Sequence, residues 1–68
     1  MDGGPRYPDV TVRLTSRDGN VFYVIGRVAK ALRNEVGRSA ADEFLSEAWA
    51  CESYDEVLRL VMRTVDVE

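Results

Sequence analysis

The chain has 68 residues, 46% of them apolar, a formal charge of −3, no histidine and a single cysteine, Cys51. That length holds one domain with a thin core, because a domain of about 60 residues buries only about 60% of the surface its unfolded chain exposes. The cysteine count excludes an internal disulfide, the lack of histidine argues against a tetrahedral zinc site, and the negative balance disfavours sequence-independent attraction to a phosphate backbone.

Met1 to Asp9 carries two glycines, two prolines and charges of both signs without periodicity. It reads as a flexible lead-in to a single domain over residues 10–68, with Pro5 and Pro8 biasing their predecessors toward extended backbone. Neither a basic segment nor an apolar run follows Met1. The longest apolar run, Val21 to Ile25, falls far short of the ~20 residues that span a bilayer. With a lone cysteine suited to a reducing compartment, the expectation is a cytoplasmic protein with no membrane contact.

Val10-Thr11-Val12-Arg13-Leu14-Thr15 alternates strictly, placing Val10, Val12 and Leu14 on one face and Thr11, Arg13 and Thr15 on the other; this is a half-buried strand. Ser16 to Asn20 forms a turn around Asp18-Gly19. The next segment has two readings. Val21, Val24, Ile25, Val28, Ala29, Leu32 and Val36 repeat at the spacing of one helical stripe. Asn20 suits the N-cap, Gly37 suits the left-handed residue that ends a helix, and Lys30, Arg33 and Asn34 fall on the wet side. A helix over Val21–Val36 is the favoured reading; an N-terminal hairpin with Val21–Ile25 as return strand is the alternative.

Two further helices follow. Ser39 to Asp42 resembles a capping box with aspartate in the acid position, and Ala41, Phe44, Leu45, Ala48 and Trp49 then form an apolar stripe. Ser53 to Glu56 is a full capping box, followed by the stripe Tyr54, Val57, Leu58, Val61, Met62 and Val65. Thr64 to Glu68 switches to period two and reads as a short strand. Since the first strand needs a partner for its backbone groups, this tail is the one candidate in the chain, and a strand of another protomer is the alternative. The expected fold is α+β, β-α-α-α-β in order, with the helices on one face of a two-stranded sheet.

From Asp9 to Glu68 the chain resembles a family of very small uncharacterised bacterial and phage-associated proteins. The resemblance rests on Val12-Arg13-Leu14-Thr15 followed by Asp18-Gly19-Asn20, on Ile25 to Arg33, on Asp42-Glu43-Phe44 with Glu47-Ala48, and on Tyr54-Asp55, Val61-Met62 and Val65 to Glu68. It implies a compact α/β domain and brings no catalytic or binding residues.

The chemistry legible in the residues is sparse. Cys51 has no histidine to serve as its base and sits among Glu47, Glu52, Asp55 and Glu56, which disfavour a thiolate; it reads as a semi-buried structural cysteine. Glu43 and Glu47 stand one helical turn apart, but the acids lack the regular oxygen-ligand spacing of a calcium site. Caps and a solvated face account for them, so neither a metal nor a cofactor is expected. Asp18-Gly19-Asn20 is followed by no lysine-serine/threonine pair and belongs to no glycine triplet, so it reads as a turn. No enzyme site is expected.

Basic residues gather early, at Arg13, Arg17, Arg27, Lys30 and Arg33, and the balance is basic up to Arg38 and acidic beyond it. A weak nucleic-acid-binding protein using the Arg13–Arg33 face is the alternative functional reading. Against it, the candidate recognition helix of a helix-turn-helix opens with Asp55 and Glu56, which repel phosphate. The primary expectation is a non-catalytic protein-interaction or accessory module, binding a partner protein or itself as a homodimer. Arg13, Tyr23, Arg27, Lys30, Arg33 and Trp49 are the candidate surface. Aromatics are plentiful for so thin a core, and aromatics concentrate at interface hot spots.

Overall fold

The computed structural model describes residues 4–14 and 21–68 of the chain. Its elements run β1 (Tyr7–Val12), α1 (Val21–Glu35), α2 (Arg38–Ala50), α3 (Tyr54–Thr64) and β2 (Val65–Val67). This is the expected small α+β fold. The helix at Val21 replaces the hairpin alternative. The expected turn at Ser16–Asn20, with its Asn20 cap, lies outside the described residues, as do Thr15 and Arg17.

α1 forms because Val24, Ile25, Val28 and Leu32 fall on one side and are all buried, while Lys30, Arg33 and Asn34 face solvent. The helix closes at Leu32, whose carbonyl oxygen accepts from the amides of Val36 at 2.8 Å and Gly37 at 2.9 Å. Gly37 has φ 145° and ψ 171°, a region of backbone space open essentially to glycine alone. Val36, expected on the buried stripe, lies past the helix end and is exposed.

Gly37 also begins α2, its carbonyl accepting from the Ala41 amide at 3.3 Å. The joint between the helices is therefore only Val36 and Gly37. The capping box expected at Ser39–Asp42 does not form, because α2 starts at Arg38 with Gly37 as its N-cap and no side-chain cap bond. Ser39 is already helical, and Asp42 faces Arg38 one turn back at 4.0 Å instead. Ala40, Ala41, Phe44 and Ala48 are the buried positions of α2.

α3 opens as the sequence indicated. The Ser53 hydroxyl oxygen accepts from the Glu56 amide at 3.2 Å, and Glu56 Oε1 accepts from the Glu52 amide at 2.9 Å. Asp55 and Glu56 in the first turn and Arg63 in the last complement the helix dipole. The buried stripe is Val57, Leu60, Val61 and Thr64; the expected members Leu58 and Met62 are half-buried and exposed. Thr64 can occupy a core position because its hydroxyl donates to the Leu60 carbonyl at 2.6 Å.

β1 and β2 form a two-stranded parallel sheet, with Tyr7 opposite Val65, Thr11 opposite Asp66 and Val12 opposite Val67. The three helices supply the long crossover that parallel pairing requires. The ladder extends through the Arg6 amide to the Arg63 carbonyl at 2.8 Å and the Glu68 amide to the Val12 carbonyl at 2.9 Å. The strand starts three residues earlier than its alternation indicated, at Tyr7. Pro8 is tolerated because the register breaks between Tyr7 and Thr11, where no ladder amide is demanded of it. The expected inward face holds for Val10 and Val12, both buried, while Leu14 lies beyond the strand and packs partly against the core.

Val10, Val12 and Val65 from the sheet meet the buried faces of all three helices in one cluster, and α1 packs most extensively against α2. Leu32, Val28, Val61 and Val65 are its most enclosed side chains. The radius of gyration, 11.0 Å, matches the value of about 11 Å for a chain of this length closed on a single core. Among the described residues, no helix is long and apolar enough to cross a membrane, and no buried side-chain nitrogen or oxygen lacks a partner.

Candidate functional site

The six candidate surface residues separate into three places. Arg13 after β1, together with Arg27 and Lys30 on α1, lines an open cleft of about 300 Å³ with Thr11, Asn34 and Glu35. Two of its cations are engaged within the fold. Arg27 Nε donates to the Arg13 carbonyl at 3.0 Å, its NH1 donates to the Tyr23 hydroxyl at 3.4 Å, and its guanidinium lies 6.0 Å from the Tyr23 ring centroid. Arg13 itself pairs with Glu68 at 3.6 Å.

Arg33 sits elsewhere, in the α1–α2 groove with Lys30, Arg38 and Asp42. Acids also pair internally. Glu43 and Glu47, the pair weighed as a shared cation site from their spacing, both lie against Arg6, at 3.3 and 4.0 Å. Among the described residues, no group of three or more acids and cysteine is placed to hold a metal.

Trp49 lies in the third place, at the junction of the three helices. Its position on α2 extends the apolar stripe by one residue past Ala48, yet the side chain is 58% exposed. Phe22, in the first turn of α1, is 63% exposed, and the two rings pack with centroids 5.5 Å apart and planes tilted by 41°. Tyr54, the first residue of α3, completes an apolar groove of about 260 Å³ whose floor is Val21, Ile25, Ala48 and Val57 and whose rim carries Cys51, Glu52 and Ser53. Cys51 is half-buried there, its Sγ donating to the Glu47 carbonyl at 3.5 Å.

Sequence reasoning singled out Trp49 and missed Phe22 and Tyr54 as its neighbours. The signal for Phe22 was its place just outside the Val21–Leu32 stripe. The signal for Tyr54 was its place ahead of the buried Val57, Leu60, Val61 series. Convergence of three rings from three different helices is a tertiary fact that no single helical period contains.

No protein-family model matches the chain, and no curated protein or solved structure is detectably similar to it. Function is therefore argued from this geometry.

Proposed function

We propose that this domain is a non-catalytic protein-interaction module acting in the cytoplasm, and that the Phe22–Trp49–Tyr54 groove is its contact surface. The observation that carries the reading is that three large aromatic side chains converge outside the core of a chain whose core is thin. Buried, each of these rings would add substantially to stability; held at the surface, they supply rigid contact area of the kind enriched at interface hot spots.

The other two surfaces support association less well. β1 has an unpaired edge, but it is interrupted by Pro8 and a register break, and the Arg13 carbonyl just beyond it is taken by Arg27. Such features blunt edge-to-edge pairing. The nucleic-acid reading is weakened because Arg13 and Arg27 are both engaged internally and Glu35 lines the same cleft.

The test is photo-crosslinking in the native host, with a benzoylphenylalanine residue placed at Phe22 or Tyr54 and, as a control, at Met62. Met62, an apolar residue about as exposed as Phe22 and more exposed than Tyr54, lies outside the groove. Crosslinks to another protein from the groove positions, absent from Met62, are the expected result. Equal crosslinking from all three, or none from the groove, overturns the proposal.

A further inference from the structure

Resting on that reading, we infer that the partner presents an amphipathic helix with carboxylates at one end, laid along the outer seam of α1 and α2 from the aromatic groove to Gly37. Spacing sets the seam. Phe22, Gly26, Ala29 and Arg33 follow one another along α1 at intervals of four, three and four residues. Arg38, Asp42, Leu45 and Trp49 do the same along α2. The Val36–Gly37 joint turns the chain back on itself, and the Phe22–Trp49 ring contact at 5.5 Å closes the far end. Between them, Gly26 and Leu45, and Arg33 and Arg38, line one groove of about 350 Å³.

Shape narrows the occupant. This groove and the aromatic one of about 260 Å³ lie along the same pair of helices, and Phe22 to Arg33 spans about 16 Å at the rise of an α-helix. A long trough between two helices suits a third helix that seats apolar residues one turn apart. Gly26 supports the same occupant. A methyl group built on it meets no atom within 4 Å, so no contact within the chain requires glycine there, although glycine weakens a helix relative to alanine. Close approach of a partner's backbone gives the missing side chain a use.

Charge then orients the occupant. Lys30, Arg33 and Arg38 line the Gly37 end of the seam against one carboxylate, Asp42. Asp42 lies 4.0 Å from Arg38, and Lys30 and Arg33 have no ion-pair partner among the described residues. Helix termini do not alter that balance, because the negative end of α1 and the positive start of α2 meet at this joint and offset each other. The aromatic end makes no such choice. There Glu52 and the negative end of α2 stand beside the positive starts of α1, which has no acid in its first turn, and α3. Its surface is chiefly apolar, so the occupant's carboxylates lie toward Gly37 and its large apolar residue toward Trp49.

The experiment selects a displayed library of random peptides of about 16 residues, four helical turns, against the full chain. Enriched peptides are then titrated into the ¹⁵N-labelled protein. Trp49 is the sole tryptophan, so its indole N–H reports on the aromatic end, while the Gly26 and Arg33 amides report on the seam. The expected peptides carry an apolar helical stripe with aspartate or glutamate at one end, and shift all three signals. Replacing two of those acids by their amides should weaken binding about two- to thirty-fold. Lys30→Gln combined with Arg33→Gln should do the same from the other side; both residues are exposed, so the fold is kept.

Gly26→Ala supplies a readout that a merely structural role would not move. It is expected to weaken the acidic peptides at least about five-fold by filling the seam, while stabilising the free chain. If Gly26→Ala binds as tightly as the parent, the seat on the seam falls. If the enriched peptides lack acids yet still shift Trp49, the carboxylate preference falls while the aromatic docking surface stands. If no peptide shifts Trp49 or Gly26, both fall. A duplex oligonucleotide that shifts Arg33 where no peptide does assigns the basic end to nucleic acid and overturns the inference.

Discussion

Gly26 and Gly37 are both open to solvent where a side chain would project, yet they are expected to respond to alanine in opposite directions. A methyl group built on either meets no atom within 4 Å, so neither substitution gains or loses packing, and the whole effect comes from the backbone. Gly26 lies inside α1, where replacing glycine by alanine stabilises a helix by about 0.8–1.0 kcal/mol. For a domain of this size 1 kcal/mol moves the midpoint by about 4–8 °C, so Gly26→Ala should raise Tm by about 3–8 °C. Gly37 has φ 145°, and forcing alanine into that region costs about 1–3 kcal/mol. Against a total stability of about 3–10 kcal/mol for 68 residues, that loss is large. Thermal unfolding followed by far-UV circular dichroism, with urea titration to show an unchanged m-value, reads both. A Gly26→Ala protein that melts no higher, or a Gly37→Ala protein that melts no lower, would refute the backbone argument.

Ser53→Ala removes the hydroxyl that caps α3 and should cost about 1 kcal/mol in urea-determined stability; an unchanged midpoint would mean that the Glu56 carboxylate alone holds the helix start. Leu32→Ala and Trp49→Ala should diverge. The first empties a fully enclosed core position and costs about 2–5 kcal/mol, enough to leave much of the chain unfolded by circular dichroism. The second loses mainly the ring contact with Phe22, worth about 0.5–1.5 kcal/mol, and should remain folded.

What the sequence made legible was what a single local period encodes. The alternation at Val10 and Val12, the stripe of α1 and the Ser53–Glu56 cap each depend on a few neighbouring residues, and each appears in the fold. Errors arose where a longer-range partner decided. β1 begins at Tyr7 because the Arg63 carbonyl and Val65 meet it there, and Pro8 hid that start. Ser39 resembled a cap, but the left-handed Gly37 had already turned the chain into α2. In α3, Leu60 and Thr64 take the buried side because that face meets the rest of the core, and Thr64 enters it only by returning its hydroxyl to Leu60. A hydropathy stripe that prefers methionine to threonine chooses Met62 wrongly. The candidate surface divided for the same reason: Arg13, Tyr23, Arg27 and Lys30 come together, whereas Trp49 joins rings supplied by two other helices.

The parallel pairing of β1 with β2 has a mechanical consequence. Tethers attached ahead of Tyr7 and beyond Val67 would pull the two strands in opposite directions along their own length. The ladder bonds would then be loaded in shear, sharing the force and failing together. Had the strands been antiparallel, the same tethers would peel the bonds apart one at a time. A domain this small would thus act as a stiff link when stretched between its ends, although its core alone is thin.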